Sequence, residues 1–235
     1  QLVEAVNQQL TRTQNLMAER RAFIDDASHQ LRTPLAVLKT QVDYTMREHD
    51  PERQQAAMQA LSDELTHAIR ATNQLLTLGQ SDASQLAHED FDLGQLAQSV
   101  AMTLLPLARA KRIDLGVDMP DTALFAQGDR HLLEQAWLNI THNAIEHGKP
   151  QGTVTLKAGI EQPVQWLQVS DDGPGMPREV INRMGQRFVK SQSSRGSGLG
   201  LAIAYSVMTR HGGRLQSQPP TPGHSHTVTL EWPCP

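Results

Sequence analysis

Four groups of residues have types and spacings that could do chemistry. The first is the stretch from Phe23 to Leu35, FIDDASHQLRTPL. His29 lies off the apolar series that runs through this stretch, so it is expected to face solvent. A neutral imidazole there is a competent nitrogen nucleophile near pH 7. Pro34 follows inside the same helical pattern, where it removes a hydrogen bond and bends the helix. An interior proline costs about 3 kcal/mol, so something must favour it.

The second group is Asn139, Asn143 and His147, spaced i, i+4, i+8 along one helix face. Amide oxygens and a neutral imidazole can ligate a hard cation or hold phosphate oxygens. The third is Asp171-Asp172-Gly173-Pro174-Gly175, directly after an apolar strand pattern. Its glycines let the backbone approach a ligand, and a carboxylate at a strand end can accept from an exocyclic amine. The fourth is Gly196-Ser197-Gly198-Leu199-Gly200-Leu201, which opens a helix whose first N–H groups can bind phosphate. The third glycine comes one residue early for a dinucleotide fingerprint, and no GxxxxGK[ST] occurs, which excludes a P-loop. Read singly, these are an incidental surface histidine, a polar helix face, a turn and a loop. Their order and spacing carry the signal.

The elements that must position them come in two textures. Val3, Leu10, Met17, Ile24, Leu31 and Leu38 repeat every seven residues, the seam of a coiled coil or helical bundle. A helix from Leu2 to Glu48 would be roughly 70 Å long and needs partners. It stops at His49-Asp50-Pro51, where Asp50 is a good N-cap and Pro51 a good first-turn residue for the next helix. That helix steps through Met58, Leu61, Leu65, Ala68, Thr72 and Leu75. Two such hairpins complete a homodimeric four-helix bundle; the competing arrangement is an intramolecular hairpin packed on the rest of the chain. Residues 80–89 are polar and aperiodic and read as a linker. Beyond them, helices over 93–110, 131–146 and from the second glycine stretch to 210 alternate with strands over 113–117, 124–126, 153–158, 164–170, 214–217 and 227–232. Asp129 is placed to cap the middle helix. This is a mixed sheet with helices on one face.

Composition bounds the function classes. Among 235 residues, 21 Lys and Arg face 25 Asp and Glu, a net charge of −4 that excludes bulk nucleic-acid binding. The single cysteine, Cys234, excludes a disulfide framework. Only nine aromatics (4 Phe, 3 Trp, 2 Tyr) leave aliphatic packing dominant, which suits helices. No apolar run approaches the ~20 residues of a membrane-spanning helix. The chain opens on Gln1 rather than Met, with no leader pattern, which reads as a fragment of something longer.

Taken together, the motifs resemble those of the sensor histidine kinases. SHQLRTPL resembles the H box, NITHNA at 139–144 the N box, DDGPG at 171–175 the G1 box, RFVK at 187–190 a reduced F box and GSGLGL the G2 box. The resemblance runs from about residue 20 to 232, in the family's order. It implies a dimerisation and histidine-phosphotransfer bundle followed by a Bergerat-type (GHKL) ATP-binding α/β sandwich. Residues 1–20 then resemble the end of a HAMP signalling helix, 21–80 the bundle hairpin, 81–90 a linker and 91–235 the catalytic domain. Carried over residue by residue, His29 is the phosphoacceptor and Asn143 holds Mg²⁺ on the ATP triphosphate, supported by Asn139, with His147 on the same face. Asp171 accepts the adenine amino group, while Gly173 and Gly175 floor the pocket. Arg187 and Lys190 reach phosphates from a lid, and Gly196, Gly198, Leu199 and Gly200 line them. Thr33 resembles the residue that positions water for dephosphorylating the partner regulator.

Three positions depart from the family pattern. Gln30 stands where most members carry an acid directly after the histidine, and an amide cannot take a proton. Asp25 and Asp26, at i−4 and i−3, are the expected substitutes as base or as orienters of the ring. Glu146 occupies a place often given to Lys, and Gly185 replaces the first Phe of the F box. The resemblance implies autophosphorylation on His29 and transfer to an Asp on a response-regulator receiver domain, within the cytoplasmic portion of an inner-membrane protein. A rival is a kinase-weak, regulator-binding phosphatase or scaffold. A third reading, an ATPase clamp of the chaperone or mismatch-repair type, is opposed by the H box in a heptad rod.

Overall fold

The computed structural model describes residues 2–81, 86–189, 197–221 and 225–235. The chain divides into two units, Gln1–Leu75 and Leu76–Pro235, with the division falling inside a helix.

In the first unit, α1 spans Leu2–Arg47 and continues through Pro34. The helix α2 spans Pro51–Ser81 and begins at the expected proline. Asp50 caps it, its Oδ1 accepting from the N–H groups of Glu52 at 2.9 Å and Arg53 at 3.2 Å. Glu48 organises the turn between the helices. Its carboxylate accepts from the backbone of His49 and Asp50 and from the Tyr44 hydroxyl. The Asp50 N–H, then the Tyr44 hydroxyl, hold that carboxyl below its ordinary range. Both helices keep apolar side chains in the open, and the seven-residue series Val3, Leu10, Met17 and Ile24 is 53–71% exposed.

The second unit is a layer of helices on a five-stranded sheet. Its elements are β1 (Glu89–Asp92), α3 (Leu93–Ala110), β2 (Asp114–Asp118), β3 (Phe125–Gly128), α4 (Arg130–His147), β4 (Thr153–Glu161), β5 (Val164–Asp171), the short α5 (Arg178–Ile181), α6 (Gly200–Arg210), β6 (Arg214–Gln218) and β7 (His226–Pro233). The main sheet has the order β2-β4-β5-β7-β6. Only the β2–β4 pair is parallel; the others are antiparallel. Strand β1 pairs with β3 in a separate two-stranded ribbon. Glu89 and Asp90 therefore belong to a strand where the sequence reads as linker. Four residues, two of them acidic, give no period to recognise, and the pairing partner is remote in sequence.

Period-two burial faces the sheet toward the helices. Val154, Leu156 and Ala158 of β4, Leu167 and Val169 of β5, and Val228, Leu230 and Trp232 of β7 are buried. They meet Leu96 and Val100 of α3, Leu133, Trp137 and Ile140 of α4, and Ile203 and Val207 of α6, all buried. Each such aliphatic side chain contributes about 1.5–3 kcal/mol on burial, so this layer carries the stability of the unit. The Trp137 indole also donates to the Gln168 carbonyl of β5 at 3.3 Å, fixing α4 on the sheet. No helix among the described residues is long and apolar enough to cross a membrane.

Candidate functional site

One end of the sheet gathers most of the expected residues of the second unit. The inward row of β5 runs Leu167, Val169, Asp171, so the alternation that builds the core delivers a carboxylate at its last position. Asp171 is 6% exposed. Its Oδ1 accepts from the Gly173 N–H at 2.9 Å. Asp172, one residue on, turns the other way and accepts from the Thr153 N–H at 3.1 Å, tying the loop to the start of β4. The two adjacent acids thus divide, Asp171 lying buried against the glycine turn and Asp172 fastening the loop to β4.

The loop after Asp171 has no room for side chains. A Cβ at Gly173 would stand 2.7 Å from Asp171 Oδ1 and 3.3 Å from the Gly148 Cα. Gly175 adopts φ +76°, and a Cβ there would strike the Pro220 ring. The backbone itself therefore forms the floor beside the carboxylate.

Helix α4 supplies the amide face. Asp129 caps it as expected, accepting from the Leu132 N–H at 3.1 Å. Asn139 is 5% exposed and anchors its amide N–H on the Gln135 carbonyl at 2.8 Å. Asn143, one turn further, is half-buried, and His147 at the helix end is exposed. The face therefore opens from core to solvent along its length. A Cβ on Gly200, the first residue of α6, would lie 3.4 Å from Asn139 Oδ1 and 3.5 Å from Asn143 Nδ2. The start of α6 thus packs directly on the two amides, at ordinary contact distance.

The start of α6 has no side-chain cap among the described residues. Its cap residue Leu199 provides no side-chain acceptor, and the Leu199 N–H itself meets the Ser197 hydroxyl at 3.2 Å. Gly198 stands at φ +73°. Such an end beside two amides, with a glycine-floored carboxylate at the far end of the same helix α4, suits a ligand that carries both an amine and several phosphates. Amide oxygens are hard donors, so Asn143 fits a divalent cation such as Mg²⁺, with Asn139 close behind it. Arg187 is half-buried at the end of the segment after α5. Lys190 and Gly196 lie outside the described residues.

Two departures from the family pattern acquire reasons here. Gly185 lies against the Tyr205 ring of α6, which a Cβ would approach to 2.8 Å, so an aromatic from α6 covers the position that lacks one. Glu146 pairs with Lys111 at 2.8 Å, and the same ammonium donates to the Glu146 carbonyl, joining the ends of α3 and α4.

The remaining expected residues sit in the first unit. His29, Thr33 and Asp25 are exposed on α1, and Gln30 is half-buried. The Thr33 hydroxyl reaches back to the His29 carbonyl at 3.4 Å, as a threonine four residues along a helix does. The Asp26 side chain is outside the described set.

One residue at the nucleotide-type site is absent from the sequence reading. His226 opens β7, is 4% exposed, and places Nδ1 2.7 Å from Asp171 Oδ2. Extending the inward alternation of β7 back from Trp232 through Leu230 and Val228 lands on His226, so the signal was present in the strand's period.

The comparisons with known proteins follow this division. Residues 19–84 match the family described as His Kinase A (phospho-acceptor) domain. Residues 128–235 match Histidine kinase-, DNA gyrase B-, and HSP90-like ATPase. Sensor protein QseC of Salmonella typhi is 34% identical over 216 residues, covering 90% of this chain and 47% of that protein. The signal transduction histidine-protein kinase/phosphatase MprB of Mycobacterium sp. (strain KMS) is 30% identical over 233 residues, covering 94% of this chain and 44% of MprB. Among solved structures, full-length ShkA in complex with AMPPNP aligns with TM-score 0.66 at 26% identity, over 88% of this chain and 44% of ShkA. The chain spans about half the length of the curated relatives it matches.

Proposed function

We infer the activity from a premise now in place, that this chain belongs to the sensor histidine kinases and carries their phosphoacceptor and ATP-binding domains. The proposed reaction is ATP-dependent phosphorylation of His29, followed by transfer of the phosphoryl group to an aspartate of a response-regulator receiver domain. The observation that carries this reading is that α4 meets both motifs: its Asn139–Asn143 face lies against the start of α6, and its end at His147 and Gly148 lies against the glycine loop that holds the Asp171 carboxylate. The exposed His29 on a heptad rod supplies the acceptor.

In this mechanism Asp171 accepts from the adenine amino group, and Asn143 holds Mg²⁺ through its amide oxygen. The ion, when bound, neutralises charge on the triphosphate. The N–H groups at the start of α6 and the Arg187 guanidinium hold phosphate oxygens, with Lys190 assigned the same role. A lone pair on the neutral His29 ring attacks the γ-phosphorus in line, and the bond to the β,γ-bridging oxygen breaks with its electrons leaving on ADP. The ring proton is then shed. Gln30 cannot take it, so Asp25 or Asp26 orients the ring and receives or relays that proton. Positioning and charge neutralisation do most of the work in such a loose transition state. Thr33 is assigned to water positioning when the same protein dephosphorylates its regulator; the relative MprB is named a histidine-protein kinase/phosphatase. The proposed assembly is a homodimer, with residues 21–80 forming the bundle, 81–90 the link and 91–235 the catalytic part. The full protein is proposed to be membrane-anchored, with this portion in the cytoplasm.

Incubation with Mg²⁺ and ATP labelled at either the α or the γ position tests the site. Label is expected from the γ position alone, and Asn143→Ala is expected to abolish it while the far-ultraviolet circular dichroism is retained. Label arriving from the α position, or independent of Asn143, would overturn the assignment.

A further inference from the structure

Asp171 is held by more than the glycine turn. In the register of the sheet it stands directly opposite His226 on the neighbouring strand β7, both on the core-facing side. Asp171 Oδ2 is 2.7 Å from His226 Nδ1, and His226 Nε2 is 3.1 Å from the hydroxyl of Ser217 on β6, the next strand out. A carboxylate is an acceptor only, so Nδ1 is the donating nitrogen and Nε2 is left to meet the serine hydroxyl. The imidazole lies beneath the glycine loop: a Cβ on Gly175 would touch its Cδ2 at 3.4 Å. Both ends of the Asp171 carboxylate are therefore clamped, Oδ1 by the Gly173 N–H at 2.9 Å and Oδ2 by His226. Each oxygen retains a further lone-pair direction for a ligand. Both members of the pair are buried, so neither rotates without breaking a bond that water cannot replace.

We propose that His226 is a positioning residue for the base-recognition carboxylate, and that through Asp171 it sets the preference for a purine carrying a 6-amino group. The inference rests on the nucleotide-binding reading above. An exocyclic amine donates to a fixed carboxylate, whereas a 6-oxo group presents a second acceptor to it and is repelled. That discrimination depends on how tightly the carboxylate is aimed. A carboxylate held by Gly173 alone can swing away from a 6-oxo ligand, so loosening it weakens the amine contact and relieves the repulsion.

The test compares ADP with IDP by calorimetry on the whole chain. The wild type is expected to prefer ADP by at least about tenfold, the scale of a hydrogen bond to a charged group. His226→Phe is expected to bring the ratio to within about threefold of unity, chiefly by weakening ADP. His226→Asn, whose amide nitrogen stands close to Nδ1, is expected to restore most of it. His226→Leu serves the same purpose as the Phe variant should the larger ring disturb the strands. A ratio unchanged in the Phe or Leu variant, or ADP and IDP weakened equally, would overturn the proposal. Asp171→Asn separates the two levels. If it collapses the ratio while the His226 variants keep it, only the positioning role fails. A ratio that survives Asp171→Asn, or a wild type that binds neither nucleotide, removes the underlying site as well.

Discussion

His211, at the end of α6, ties that helix to the start of α4 through one ring. Its Nδ1 is 2.7 Å from the Val207 carbonyl, and its Nε2 accepts from the Asp129 N–H at 3.0 Å. Burial is the main cause that pushes its pKa below the ordinary histidine value. A depressed base favours the neutral folded form, so the unfolded chain takes up the proton first as pH falls. The contribution of this ring to stability is therefore complete above about pH 6.5 and is lost as pH drops through that value toward the lowered folded pKa. Thermal melts of the wild type are expected to shift downward between pH 7.5 and 5.5. His211→Gln should show a smaller shift over the same range. A steeper fall in the variant would contradict the assignment. The Asp171–His226 pair illustrates what was and was not legible at this scale. Asp171 was readable because it stands in a glycine-rich signature. The inward placement of His226 was readable from the period of β7, but its pairing with Asp171 was not, because that depends on which strand lies beside β5, a fact of topology rather than of spacing.

At the scale of elements, Asp129 governs the helix that carries the amide face. Its side chain accepts from Leu132 N–H at 3.1 Å and from Ala87 N–H at 3.2 Å, while its own N–H donates to His211. Asp129→Ala removes the cap and leaves α4 with an unmet first turn. The expected loss is about 1–2 kcal/mol, read as a lowered melting temperature of a few degrees. Nucleotide affinity should fall with it, because Asn139 and Asn143 are rigid only as far as α4 is. A melting temperature unchanged in Asp129→Ala would show that the cap is not what fixes the helix. The cap was legible in the sequence, as were α3 at its observed bounds and the hairpin turn at Asp50-Pro51, since each is marked by local chemistry. Strand β1 and the four-residue α5 were not. They are too short for a period, and β1 owes its conformation to β3, more than thirty residues away in the chain. Strand ends drifted by one to three residues for the same reason: pairing with a neighbour, not local preference, decides where a strand stops.

At the scale of the whole molecule, the first unit leaves unburied the row that its sequence repeats most strictly. Ile24 on α1 and Met58 and Leu65 on α2 are each about half exposed in a single chain. Apolar rows of this length on two helices are expected to close against a second copy. Sedimentation equilibrium should give a dimer, and Ile24→Glu combined with Leu65→Glu should shift it to monomer at micromolar concentration. A wild type that remains monomeric across that range would contradict the bundle. The account as a whole depends on one bond, between phosphorus and a ring nitrogen of His29. After incubation with [γ-³²P]ATP and Mg²⁺, the wild-type chain is predicted to carry label that survives alkali and is lost in acid, and His29→Gln is predicted to carry none. Label that resists acid, or that persists at the wild-type level in His29→Gln, would contradict it.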